Sequence, residues 1–353
     1  MIDDERLAAR TLIQASVAAL VVLSVLLVLR AGEAFLAIFG GILLAILFNG
    51  TAHWVRDRTG MPYGIALAAS ILLPLLLLGA GLWFAAPAIS EQAGQLTERI
   101  PAAVKQLRST LQQWAWTERL FEEKARLKAF LPDGENAAGM IGGFFSSTFG
   151  ALGNLVIALA VGLFLASAPK GYVDGLMRLV PLGRRARTRE VLEAVQSSLG
   201  SWLIAKLAAM LAIGVLTTLG LWLIGIDLAL ILGVVAALLS FIPNVGPIIA
   251  LVPAALVGLV DGLDTLLYVV ILYVGIQTVE SYGLTPLLQQ RLVQLPPALT
   301  IGVQVVLSVV AGALGLIFAA PLTAAGMVMI RMWYVEDLLG DREGKDGKKG
   351  DAT

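Results

Sequence analysis

Cysteine is absent from the 353 residues, and histidine occurs once, at His53. Without a thiol there is no disulfide, no thiolate nucleophile and no cysteine metal site. A single imidazole excludes a histidine-rich metal centre as well. Charge is scarce: 14% of residues are Asp, Glu, Lys or Arg, and 25 cations balance 25 anions. A chain without a net positive field has no electrostatic hold on a phosphate backbone, so nucleic acid is not an expected partner. No nucleophile–base pair and no metal-ligand cluster is legible, which speaks against an enzyme and leaves no cofactor or metal to expect. The short alternating segments of a membrane β-barrel are missing too.

What is present is apolar. Hydrophobic residues make up 58% of the chain, and the mean hydropathy is +0.86. Several runs reach the roughly 18–20 residues that cross a bilayer. The expected fold is therefore an all-α polytopic membrane protein, with about six full spans and two broken or re-entrant helical elements. Residues 11–29 form a first span with no convincing cleavage site after it, so a retained helix is expected and not a signal peptide. Residues 34–48 are a second span, whose Gly40 and Gly41 permit close helix packing. The connection 49–62 carries His53, Trp54, Arg56 and Arg58, a cluster suited to a membrane surface. Residues 63–86 are a third span, with Pro74 a point of kinking. Residues 141–166 and 202–224 are further spans, Lys206 being placed to snorkel towards the interface.

Between them, residues 87–140 change character. Ile89, Ala93, Leu96, Ile100, Val104, Leu107, Leu111 and Trp114 recur at helical spacing while Glu91, Gln92, Glu98, Arg99, Lys105 and Arg108 fill the other faces. This is an amphipathic arm of soluble type, which Pro101 should kink. It either contacts neighbouring subunits or lies on the membrane surface. Four units result: spans 1–86, the arm 87–140, a C-terminal membrane domain 141–341, and a charged tail 342–353 expected to be disordered. Arg6 and Arg10, Arg56 and Arg58, the basic segment Lys170 to Arg189, and the tail all fall on one side if the spans alternate. That side is the cytoplasm by the positive-inside rule, with both termini there and the arm outside. The cluster Arg184, Arg185, Arg187 and Arg189 would face anionic headgroups.

The chain is organised around residues 241–251, Phe-Ile-Pro-Asn-Val-Gly-Pro-Ile-Ile-Ala-Leu. Pro243 and Pro247 lack the backbone N–H and push their predecessors out of helical geometry, and Gly246 lies between them. A helix must break here, and lipid offers no partner for the freed backbone groups. The runs 228–260 and 298–334 would each measure roughly 50 Å or more as straight helices, too long for a core of about 30 Å. We read both as re-entrant hairpins, the second broken among Gly312, Gly315 and Pro321; single tilted, broken spans are the alternative. A gapless match of Val234-Val-Ala-x-x-Leu239 to Val309-Val-Ala-x-x-Leu314 hints at an internal repeat.

Glu280 is the acid placed at the edge of an apolar span, and Gln277 lies one turn before it. A charge there costs several kcal/mol unless paired or wetted, about 2.5–3.5 kcal/mol on insertion scales for Asp or Lys. It would bind solute, carry a proton, or gate by pairing with Arg291; a plain interfacial glutamate is the alternative. The candidate transport path is thus Ser240, Pro243, Asn244, Gly246, Pro247, Gln277, Glu280 and Ser281. Gly312, Gly315, Pro321 and Pro286 are candidate breaks or gates.

With these residues in place, residues 200–341 resemble the autoinducer-2 exporter family, also described as PerM-like permeases. The resemblance rests on Phe241-Ile-Pro-Asn-Val-Gly-Pro247, Gln277-Thr-Val-Glu280 followed by Pro286, Leu295-Pro-Pro297, Gly312-Ala-Leu-Gly315, Ala320-Pro-Leu322 and Tyr334-Val-Glu-Asp-Leu-Leu-Gly-Asp341. It departs at Gln289-Gln-Arg291, where many relatives carry a glycine after the proline. The resemblance implies a multi-span protein of the bacterial inner membrane that exports small molecules and forms homo-oligomers, with pentamers the implied number. Some relatives resemble Na⁺(Li⁺)/H⁺ antiporters. Solute export, cation–proton exchange and a non-transporting scaffold are the three functional expectations.

Overall fold

The computed structural model describes residues 32–112, 155–284 and 296–341. The first expected span, most of the arm beyond Gln112, the glycine-rich start of the fourth span, Pro286, Arg291 and the charged tail lie outside them. All regular structure in the described residues is helical. Five helices are long and apolar enough to cross a membrane, or six if one bent pair counts as a span.

Helix α1 (Gly32–Thr59) runs through the expected second span and straight on over His53, Trp54, Arg56 and Arg58. The anticipated loop is therefore the last turns of a helix, where the His53 ring contacts the Asn49 carbonyl at 2.7 Å and Arg58 lies over Trp54. Gly60, at φ 70°, opens the short turn into α2. Helix α2 (Tyr63–Gln112) has 50 residues and contains Pro74, Pro87 and Pro101 without interruption. At about 1.5 Å per residue it is roughly 75 Å long, more than twice a bilayer core. Third span and amphipathic arm are thus one element.

Helices α3 (Leu155–Ser167) and α4 (Pro169–Arg178) meet at 88°, with Pro169 at the first position of α4, where its missing N–H costs nothing. Helix α5 (Arg185–Ile224) closes on Gly225 in the left-handed conformation; Gly225 N bonds Trp222 O and Ile226 N bonds Leu221 O, a Schellman cap. Three shorter elements follow: α6 (Ala229–Leu239), α7 (Val245–Asp261) and α8 (Leu263–Val279). Helix α8 passes into a π-helical turn, Glu280–Leu284. Helix α9 (Pro297–Met329) ends in a second π-helical stretch, Ile330–Leu338.

Small residues set the spacing. Cβ atoms at Gly41, Gly214 and Gly220 would collide with Val161, Ala237 and Leu272 respectively, so these helices approach as only glycine allows. Three apolar clusters result, one of them joining α1, α2 and α3 through Phe48, Leu67 and Ala166. Leu221, Leu228, Leu232, Val257 and Val269 join α5 to α8, with Leu96 of α2 among them. Leu43, Leu199, Trp202, Leu203, Ala320 and Ala324 join α1, α5 and α9.

The far part of α2 caps the α6–α7 pair at both ends. A helix leaves its first N–H groups and last carbonyls without partners. The Gln92 amide oxygen accepts from Ile231 N at 3.0 Å, and Gln106 Nε2 donates to Leu259 O at 2.9 Å. Arg99 pairs with Asp227 at 3.3 Å beside them. At the other end of α5, Arg187 reaches Glu190, Glu336 and Asp337 at 2.7, 2.8 and 3.0 Å, and it donates to Met332 O. Arg189 pairs with Asp174, and Arg185 donates to Val180 O. These three side chains of the basic cluster are turned to intramolecular partners, which the lipid-facing expectation did not anticipate.

Candidate transport site

Two chain reversals lie in the apolar body. The first joins α6 to α7. In an unbroken helix the N–H of residue 247 would serve the carbonyl of residue 243, but residue 247 is proline. The stranded Pro243 carbonyl accepts instead from Val245 N at 2.7 Å and from Gln304 Nε2 of α9 at 3.1 Å. The bond from Val245 closes a three-residue turn about Asn244, whose φ of 65° and ψ of −44° place it near the strained γ-turn form. Asn244 is exposed and Gly246 is buried. A Cβ on Gly246 would fall onto the Leu239 carbonyl, so the two limbs meet backbone to backbone. Ile231 in α6 and Leu259 in α7 both bond to α2, at Gln92 and Gln106.

The second reversal breaks α9 at Ala311 (φ −138°, ψ 23°) and Gly312 (φ 56°, ψ −136°). The Gly312 geometry is open to glycine and little else. A Cβ on Gly315 would fall onto the Leu307 carbonyl, although eight residues of helix would separate them by about 12 Å. The chain therefore folds back here too. Pro321 is not a point of reversal: it is fully buried within the following limb, whose helix runs through it.

The two reversals are built alike. Ser240 Oγ donates to Ala237 O at 2.7 Å, and Ser308 Oγ donates to Val305 O at 2.8 Å. In each, the residue four positions after the serine has positive φ, Asn244 and Gly312. In each, a later glycine lies against the carbonyl of the leucine before that serine. Leu239 thus corresponds to Leu307, not to Leu314 as the gapless match had it. In so apolar a sequence a run of matching Val, Ala and Leu is cheap; the backbone reversal sets the register.

The buried charge is a pair. Lys206 and Glu280 are 6% and 9% exposed, with Nζ and Oε1 3.4 Å apart, and both lie in candidate spans. Lys206 does not snorkel: its ammonium stays inside because Glu280 is there to meet it. Glu280 opens a π-helical turn, an irregularity frequent at functional sites. One turn before Lys206 on α5, Trp202 packs edge-on against Phe241 with ring centroids 5.8 Å apart. Helix α5 thereby carries the ion pair and a contact to the first reversal on one face. Gln277 and Ser281 do not join Glu280; Gln277 Nε2 donates to Ser281 Oγ at 3.2 Å on the outer flank.

Gln304 is the residue that reading the sequence missed. It is 1% exposed, and its Oε1 has no hydrogen-bond partner among the described residues. A lone amide in the run Ile301-Gly-Val-Gln304-Val-Val-Leu was the available signal. A cleft of about 690 Å³ lies between α1 and α5, lined by Thr51, Trp54, Glu193, Gln196, Ser197 and Ser201 among others.

Comparison with known proteins places this geometry in context. The family described as AI-2E family transporter matches residues 16–334. A Bacillus subtilis (strain 168) protein named "Putative transport protein YrrI" is 26% identical over 310 residues, covering 84% of this chain and 85% of its own. A second protein of that strain with the same description, YueF, is 24% identical over 300 residues, covering 80% and 79%. A Borreliella burgdorferi transport protein of like description is 25% identical over 189 residues, about half of each chain (53% and 52%).

Proposed function

This chain belongs to the AI-2E transporter family, and on that premise we propose that it exports a small polar organic solute across a bacterial cytoplasmic membrane, along the seam between its two broken helices. The observation that carries the reading is the Gln304–Pro243 bond, which ties the first reversal to the limb that leads into the second. Irregular backbone at membrane depth survives where protein buries it or a wet cavity receives it, and broken helices present oriented dipoles to a solute. Ser240, Pro243, Asn244, Gly246 and Pro247 form one wall of the path, Glu280 lies at its cytoplasmic approach, and Gln277 and Ser281 lie on the flank outside it. Gly312 and Gly315 are the hinge of the second hairpin. Pro286, which precedes it in sequence, is a candidate gate. Transport, not catalysis, is the activity proposed. Both termini face the cytoplasm, the α2 arm lies outside, and protomers associate as a homo-oligomer, with the pentamer as the number to test by native mass.

Metabolite profiles of cells overexpressing the protein and cells lacking it test this. At least one small polar solute is expected to rise outside the first and inside the second. Identical profiles would remove export.

A second reading, Na⁺(Li⁺)/H⁺ exchange, is favoured by one observation, the Lys206–Glu280 pair within candidate spans. Buried ionisable groups mark ion and proton pathways. Sodium added to proteoliposomes carrying a pH gradient would dissipate that gradient if exchange occurs, and would leave it unchanged under solute export alone.

A further inference from the structure

We infer that Gln304 is a solute-binding residue whose Oε1 accepts an N–H or O–H donor from an uncharged solute. The inference rests on the export reading and adds the group that recognises the cargo. An amide offers two donors and one carbonyl acceptor. Nε2 is committed to the Pro243 carbonyl, and this fixes the amide orientation, because the flipped group would set two acceptors against each other. Oε1 is then an acceptor closed off from solvent at 1% residue exposure and without a partner among the described residues. Buried polar atoms of this kind are rare and call for an explanation, since an unbonded acceptor has given up its water without replacement.

Its surroundings define the ligand. The acceptor sits beside the first reversal and one turn before Ser308, where the second reversal begins. Among the described residues no carboxylate bonds the Gln304 amide, and the buried charges Lys206 and Glu280 answer each other. A solute cation would meet no uncompensated anion there, so the group that fits is a neutral donor. One side chain thus holds the first reversal to the limb leading into the second through Nε2 and presents Oε1 to the cargo, which ties occupancy of the site to the state of that bond.

The test is export from intact cells expressing wild-type protein, Gln304→Met and Gln304→Glu, read on whichever metabolites the wild type moves outward. Methionine keeps the volume and removes both polar functions. A protonated glutamic acid restores a donor and an acceptor. Expected are a roughly tenfold or greater loss for Gln304→Met, about the worth of one hydrogen bond, and partial recovery for Gln304→Glu. If the wild type moves nothing, the export reading falls and this inference with it. If Gln304→Met exports at the wild-type rate, the inference alone falls and Oε1 is bonded to structural water. Wild-type protein supplies a measurement independent of variant folding. The exported solute is expected to raise the thermal midpoint in detergent, and its O- or N-methylated derivative is not. Equal shifts overturn the inference.

Discussion

Lys206 and Glu280 hold opposite charges 3.4 Å apart, with side chains only 7% and 12% exposed. Taking such a pair out of water costs several kcal/mol per ion, repaid only while both partners stay. Removing one leaves a buried charge, typically at a loss of 3–5 kcal/mol, whereas replacing both by apolar residues is often close to neutral. Glu280→Gln and Lys206→Met are therefore expected to lower the thermal midpoint markedly, and the double variant Lys206→Met/Glu280→Leu to recover it. Stability by intrinsic fluorescence in detergent reads this directly. A Glu280→Gln protein as stable as the wild type would mean that water reaches the pair. A stable double variant that no longer transports would assign the pair to the transport cycle. Half of this arrangement was legible from the sequence. Glu280 stood out because an acid at the edge of an apolar run demands a partner, while Lys206, 74 residues away on another helix, offered nothing local to say that it was that partner. Snorkelling described Lys206 correctly as a side chain and wrongly as a neighbour.

Among the elements, α2 turns composition into architecture. The stripe containing Ile89 and Leu96 announced an apolar face, and periodicity reveals such a face without revealing what covers it. Its cover is the α6–α7 hairpin of the same chain, with Leu96 3% exposed between the bonds from Gln92 and Gln106. Leu96→Ala is expected to cost about 2–5 kcal/mol, the usual range for a buried leucine, and to loosen the hairpin ends. Limited proteolysis should then cut the 225–228 connection or the turn at Gly262 faster than in the wild type. Unchanged cleavage would mean that the arm rests on the hairpin without holding it. The breaks were partly legible. Pro243 and Pro247 identified the first, because two missing N–H groups four residues apart strand a carbonyl that no helix can serve. The second is at Gly312, and Pro321 was a false marker of it, while Pro74, Pro87 and Pro101 all lie within one continuous helix. A proline removes one helical bond, and packed neighbours in a membrane protein can absorb that loss, whereas a glycine with φ 56° is a change in chain direction.

At the scale of the molecule the charged contacts separate into two ends, and the orientation proposed from the basic loops can be tested on them. Arg99 and Asp227 mark the end where α2 caps the hairpin. Arg187, Glu336 and Asp337 mark the other, where the C-terminal stretch is fastened to α5. In the proposed orientation, which rests on the Lys and Arg excess near Lys170 to Arg189 and in the tail, the second end is cytoplasmic. The absence of cysteine makes the test clean, since any introduced thiol is the only one in the protein. Asp261, the last residue of α7, is exposed. Gly183, at the start of α5, is exposed and has open space where a side chain would be added. Asp261→Cys and Gly183→Cys should therefore leave the fold intact, as surface substitutions away from special contacts usually fall within about 0.5 kcal/mol. With a membrane-impermeant maleimide on intact spheroplasts, Asp261→Cys is expected to label at once, and Gly183→Cys only after permeabilisation. The reverse pattern would invert the molecule, put the arm in the cytoplasm and turn the proposed export path around. Labelling of both sites in sealed cells would mean that one of the two connections is not where alternating spans put it, and that α6–α7 crosses the bilayer instead of returning to the face it came from.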